Sequence, residues 1–179
     1  MAAIHAVDVD AVGLGDLGRK DDYIARQLKR WYSQFQASDS QVDGGLGLPE
    51  VDRIHDRLAA AIPPQQGSAI VHGDYRLDNC MLADDGSVKA VLDWEICTLG
   101  DPLADFSYML MQWVSAGNAK TQGLIDADLD ALNIPQMPEA VEVYCKATGR
   151  DGVPDLNWYF AYNLFRLTSI VQGIARRIV

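Results

Sequence analysis

The segment Ala69-Ile70-Val71-His72-Gly73-Asp74-Tyr75-Arg76-Leu77-Asp78-Asn79 constrains the fold of this chain more than any other. A short apolar run, the pattern of a buried strand, breaks off at His72-Gly73. Two further apolar runs, Cys80-Met81-Leu82-Ala83 and Val88-Lys89-Ala90-Val91-Leu92, bracket Asp84-Asp85-Gly86-Ser87. An Asp-Gly pair between such runs predicts a hairpin. Its strands run in opposite directions, so Asn79 before the first and Asp93 after the second share one end of the ribbon. Asp74 lies five residues before Asn79, and Asp93 lies fourteen after it. The hairpin therefore gathers three polar side chains that are distant in sequence.

The rest of the chain reads as helices. Over residues 21–36, Ile24, Leu28, Trp31, Tyr32 and Phe35 form one apolar stripe, with Asp21 and Asp22 where the helix dipole favours anions. Residues 37–47 read as a loop. A second helix is predicted from Pro49 to about Ala61, burying Val51, Ile54 and Leu58 and stopped by Pro63-Pro64. Asp101-Pro102 reads as cap and first position of a third helix whose stripe is Leu103, Phe106, Leu110, Trp113 and Val114. Residues 117–135 read as a polar connection with one helical turn. Helices over 137–148 and 155–177 complete the chain, with Gly149 ending the first. Gly13, Gly15 and Gly18 fit a phosphate-loop glycine pattern in name, but no strand precedes them, so they read as a connection into a helix. The expectation is an α+β fold, mostly helical with one small hairpin, forming a single domain over residues 1–179.

The net charge of −10 argues against a nucleic-acid surface, which needs a basic face. From His72 to Asp105 there are eight acidic residues against Arg76 and Lys89. That density suits a magnesium site, since hard cations take oxygen ligands; a cationic substrate or a merely solvated acidic surface would fit equally well. No run approaches the roughly 18 apolar residues of a membrane span, and no basic-then-apolar leader opens the chain. Cys80, Cys97 and Cys145 are odd in number and lack metal-ligand spacing, as in reduced thiols. Together these features read as a cytoplasmic protein without a membrane partner.

Several side chains carry two readings. Asp93 follows Ala90-Val91-Leu92, so burial there would need a cation or donors to offset its cost. Arg76 can clamp phosphate oxygens or pair with Asp78. Met81 and Leu92 can floor a pocket or pack in the core. Asp105 stands in the first turn of its helix, where the dipole stabilises a carboxylate. Trp158, Tyr159, Tyr162 and Arg166 form a polar-aromatic stripe on the last helix that is either core or substrate-facing.

His72 to Asn79, Asp93-Trp94-Glu95 and Gly100-Asp101-Pro102-Leu103-Ala104-Asp105 resemble the catalytic core of the aminoglycoside phosphotransferase/choline kinase family. Within it they are most similar to kinase-like domains related to those fused to acyl-CoA dehydrogenases. His5-Ala6-Val7-Asp8, and Trp158-Tyr159 through Arg166 to Gln172-Gly173, extend the likeness. Trp94-Glu95 stands where protein kinases carry the rest of D-F-G. The resemblance implies the C-terminal lobe of a protein-kinase-like fold. The N-terminal lobe, with its Gly-rich phosphate loop and Lys–Glu pair, is not found in the 71 residues before His72.

It further implies transfer of the γ-phosphoryl group of ATP, with Mg2+, to a small-molecule hydroxyl. In that scheme Asp74 orients the hydroxyl and Arg76 neutralises phosphate. Asn79 and Asp93 hold the metal, Met81 lies against the nucleotide, and His72 and Asp105 brace the loop. Glu95, Tyr159, Tyr162 and Arg166 become acceptor contacts. Aminoglycosides, choline-like alcohols, sugars and hydroxyacyl-CoA all fit as acceptors. The alternative is a catalytically silent binding or assembly lobe that needs a homodimer mate, a partner chain or the missing N-terminal lobe. A two-metal hydrolase would need further ligands than the scattered His5, His55 and His72.

Overall fold

The structure, a computed structural model, describes residues 1–40, 48–118 and 121–175. In chain order its elements are α1 (Ala2–His5), α2 (Tyr23–Asp39), α3 (Pro49–Ala60), β1 (Ala69–Val71), a 3-10 turn (Leu77–Asn79), β2 (Cys80–Leu82), β3 (Val88–Val91), β4 (Thr98–Gly100), α4 (Pro102–Val114), β5 (Gly117–Asn118), β6 (Thr121–Gln122), α5 (Met137–Thr148) and α6 (Leu156–Ala175). The architecture is α+β and mostly helical. Residues 41–47 of the expected loop, and the expected helix end at 176–177, lie outside the described residues.

Helix α6 is the spine, packing against α2, α3 and α4. The core joins Ile24, Leu28 and Phe35 of α2, Val51 and Leu58 of α3, Leu103, Phe106 and Leu110 of α4, and Tyr162 and Phe165 of α6. The Phe106 ring stacks on Tyr144 of α5 with centroids 3.7 Å apart. Each fully buried Leu or Phe contributes roughly 1.5–3 kcal/mol relative to exposure, which fixes the helix faces. Ile54 departs from the expected stripe and stays 45% exposed. It faces an open groove between α3 and α6, lined also by Arg57, Trp158 and Ala161.

Three antiparallel ribbons decorate the described helices. Strands β2 and β3 form the expected hairpin, with Cys80 opposite Val91 and an irregularity between Met81 and Leu82. Its turn holds Gly86 at φ 81°. Asp85 accepts from Ser87 N at 2.9 Å and from Ser87 Oγ at 2.7 Å. Strand β4 was not anticipated: Thr98-Leu99-Gly100 pairs with β1, Ile70 facing Leu99. Residues 117–135 also differ from a purely polar connection, because β5 and β6 pair as a second short hairpin. Asp101 caps α4 by accepting from Leu103 N at 2.8 Å, and Gly149 ends α5 at φ 67°.

Of the N-terminal glycines, Gly18 serves packing. A Cβ at Gly18 would stand 2.3 Å from Thr98 Oγ1, so glycine lets this segment lie against β4. Among the described residues no strand precedes β1, and no helix is long and apolar enough to cross a membrane.

Candidate active site

The site is built around the loop that leaves β1. His72 is fully buried and Gly73 takes φ 86°, a conformation open to glycine at little cost. The backbone N–H of His72 donates to Asp105 Oδ2 at 2.8 Å, and that of Gly73 to Asp105 Oδ1 at 2.9 Å. A buried carboxylate on the first turn of α4 thus satisfies two adjacent loop amides, one per oxygen. His5 Nε2 approaches the same Oδ2 at 3.3 Å, and its Nδ1 lies 2.8 Å from the Tyr144 hydroxyl. Burial pushes the Tyr144 hydroxyl up to about 12, so it stays a donor at neutral pH.

His72 ties the loop to the hairpin. Its Nδ1 accepts from Asp74 N at 3.2 Å, which makes Nε2 the protonated nitrogen, donating to Leu92 O at 2.8 Å. Leu92 N in turn donates to Asn79 O at 2.8 Å. The end of β3 is therefore fastened to the start of β2, and Asp93 lies one residue beyond that bond at φ 65°. A left-handed Asp is costly for a non-glycine residue and redirects the chain sharply after the hairpin.

Asp74 is held at both oxygens. The Tyr108 hydroxyl donates to Oδ1 at 2.8 Å, and Asn79 Nδ2 donates to Oδ2 at 3.1 Å and to the Asp74 carbonyl at 2.8 Å. Each carboxylate oxygen keeps a further lone pair, and the side chain is 24% exposed, so a substrate hydroxyl can reach it. Burial, and next the Asp74 charge, push the Tyr108 hydroxyl up to about 12 and keep it a donor. Arg76 lies 3.7 Å from both Asp74 and Asp78, longer than a hydrogen bond and half in solvent. The Asn79 amide nitrogen is spent on Asp74, which leaves its oxygen, with the Asp93 carboxylate, as hard-donor chemistry at the ribbon's end. Among the described residues no cluster of three His, Cys, Asp or Glu side chains could hold a metal by itself.

Two cavities flank the loop. One, of about 270 Å³, is bounded by Gly73, Glu95, Thr98, Arg30, Trp31 and Arg166. The other, of about 660 Å³, lies beside Arg76 and Tyr108 and is walled by Met111, Val114, Leu164 and Leu167.

The arrangement of loop, brace and hairpin agrees with what sequence comparison finds. Residues 1–144 match the model of the phosphotransferase enzyme family. The chain belongs to that family. A solved structure from Ralstonia eutropha, provisionally described as an aminoglycoside phosphotransferase, is 40% identical with a TM-score of 0.91, over 99% of this chain and 53% of that one. A macrolide 2'-phosphotransferase type I shares the fold at 19% identity and a TM-score of 0.57, over 98% of this chain and 54% of that one. Among curated proteins, acyl-CoA dehydrogenase family member 10 of Mus musculus is 36% identical over 99% of this chain and 16% of its own length. Family member 11 of Gallus gallus is 32% identical over 99% of this chain and 23% of its own. The chain thus spans about half the solved relatives and less than a quarter of these curated ones.

The structure brings His72, Asp74, Arg76, Asn79, Asp93 and Asp105 into one neighbourhood. Four expectations need correction. Asp93 is exposed rather than buried, so the cost of burial cannot be what calls for a cation there. Met81 and Leu92, at 52% and 45% exposed, face solvent from the hairpin and are not core. Tyr159 is fully buried and donates its hydroxyl to Asp101 Oδ2 at 2.9 Å, which places it in the scaffold. Tyr162 is as deeply buried, but it lines the 270 Å³ cavity with Glu95 and Arg166.

Tyr108 escaped sequence reasoning altogether. Its signal was helical spacing, three residues after Asp105 on α4, which turns both toward the same loop.

Proposed function

We propose that the chain carries the catalytic centre of an ATP- and magnesium-dependent phosphotransferase acting on a small-molecule hydroxyl. The observation that carries this reading is Asp74, held at both oxygens by Tyr108 and Asn79 and still accessible, on a loop whose amides are clamped by Asp105. Such a carboxylate orients an acceptor hydroxyl and takes its proton as the oxygen–phosphorus bond forms and the bond to the nucleotide's leaving oxygen breaks.

Asn79 and Asp93 fit magnesium, which keeps waters and phosphate oxygens and needs one or two protein oxygens. When bound, the ion would neutralise charge developing on the phosphoryl group. Arg76, half exposed beside Asp74, is free to leave its loose ion pairs for a phosphate oxygen. The family resemblance leaves the acceptor among hydroxylated small molecules; the dehydrogenase-named relatives lean toward lipid-related hydroxy compounds by association.

A second reading, a binding or assembly lobe that works with another chain or lobe, has one observation in its favour. Leu77, Met81, Leu82, Val88 and Leu92 stand 45–65% exposed on or next to the hairpin. Apolar surface concentrated there suits a covering body.

Calorimetric titration with a non-hydrolysable ATP analogue, with and without magnesium, tests the first reading. Magnesium-dependent binding that Asp93→Asn abolishes is the expected result. A folded chain that binds no nucleotide overturns activity of this chain on its own and favours the second reading.

A further inference from the structure

We propose that the 270 Å³ recess under residues 95–98 binds an anionic group, a carboxylate or a phosphate monoester, carried by the acceptor. The inference rests on the phosphotransfer reading and names the class of acceptor. Amino sugars and choline-like alcohols are cations; this recess is built for the opposite charge.

Arg166 decides it. The residue is 7% exposed, and none of the ion pairs among the described residues includes it. Its guanidinium lies 5.4 Å from the Trp31 ring centroid and 4.9 Å from that of Tyr108, held between two π faces. One Nη donates to the Gly73 carbonyl, while Nε has no partner among the described residues. Trp31 Nε1, on the same wall, is a second buried donor, engaged only loosely by the Tyr162 hydroxyl. Two aromatic faces and one carbonyl offset only part of the cost of burying a cation. The missing component is negative charge with acceptor oxygens.

The remaining lining agrees. Arg30, Gln27 and Tyr162 add donors, and Glu95, exposed, is the one carboxylate among the lining residues. Two arginines converge here in a chain of net charge −10. At about 270 Å³ the recess has room for an anionic head and a few carbons. Asp74 itself does not line the recess; the link is Arg166, which holds the Gly73 carbonyl and lies 4.9 Å from the ring of Tyr108, the residue that donates to Asp74. An anion held there sits one side chain away from that carboxylate.

The test follows the Trp31 indole and Arg166 Nε resonances of the isotope-labelled 179-residue chain at constant ionic strength, with magnesium and the ATP analogue present. The probes are β-hydroxybutyrate, glycerol phosphate, butanediol and choline. Saturable shifts with either anionic probe, absent with the neutral and cationic ones, are expected. The stronger of the two anions identifies carboxylate or phosphate as the source. Arg30→Gln, at an exposed position, is expected to weaken the response by about three- to tenfold, as loss of a charge-assisted contact does. Arg166→Gln also frees the Gly73 carbonyl, so Arg30→Gln stands as the test where that variant fails to fold.

Silence with both anions, or equal shifts with butanediol or choline, overturns the proposal. Nucleotide binding is read in the same samples. Intact nucleotide binding beside a silent recess sinks this inference alone. An anion response without nucleotide binding upholds the recess and overturns phosphotransfer by this chain on its own.

Discussion

Replacing Asp105 by asparagine isolates the contact on which the loop depends. The wild-type carboxylate presents one oxygen to His72 N and the other to Gly73 N, at 2.8 and 2.9 Å, and the residue is 2% exposed. Asparagine keeps the shape but has one oxygen. Whichever way the amide turns, one loop N–H faces an NH2 group in a site that water cannot fill. The loss combines a charge-assisted bond, about 1.5–3 kcal/mol, with an orphaned buried donor costing about 1–3 kcal/mol. These overlap, so a net destabilisation of roughly 2–4 kcal/mol is expected.

Urea unfolding followed by tryptophan fluorescence measures it, with the m-value unchanged if the native state stays compact. Amide hydrogen exchange adds a local readout: His72 and Gly73 should exchange faster in the variant even under conditions where the whole molecule stays folded. Asp93→Asn is the control, since Asp93 is exposed and should leave stability unchanged. If Asp105→Asn is as stable as Asp93→Asn and the two amides exchange as in the wild type, Asp105 does not hold the loop.

Tyr108, Tyr144 and Tyr162 each have hydroxyls pushed up to about 12, mainly by burial. The unfolded chain releases these protons near 10 and the folded chain near 12. Stability is therefore fully present below pH 10 and falls as pH rises toward 12, by about 1.4 kcal/mol per pH unit for Tyr162 and by less for Tyr108 and Tyr144, which are less deeply set. Denaturant titrations across that window, with tyrosinate absorbance as the proton count, check it; a flat profile refutes the burial of these hydroxyls. Gly73→Ala places a methyl group at φ 86° and 3.0 Å from Ile96 Cδ1. It should cost about 1–3 kcal/mol and weaken magnesium-dependent nucleotide binding, and wild-type values for both would show that the loop accepts a side chain.

What the sequence disclosed and what it withheld divide along contact range. The β2–β3 hairpin, the Asp101 cap and the Gly149 stop are local devices whose partners lie within a few residues, so composition and spacing reveal them. Strand β4 has no such device: Thr98-Leu99-Gly100 is extended because β1, some thirty residues earlier, offers an edge. Tyr159 illustrates the same limit from the other side. Helical periodicity put Tyr159, Tyr162 and Arg166 on one stripe, but periodicity does not say how deep that stripe sits.

Depth was decided by packing against the other helices, and Asp101 Oδ2, fifty-eight positions away, takes the Tyr159 hydroxyl there. Seven residues further along α6, Arg166 reaches the Gly73 carbonyl across ninety-three. One helix therefore anchors the scaffold at Asp101 and supports the loop that carries Asp74 at Gly73. A motif could mark the loop, but the side chains that hold it in place come from partners far away in sequence.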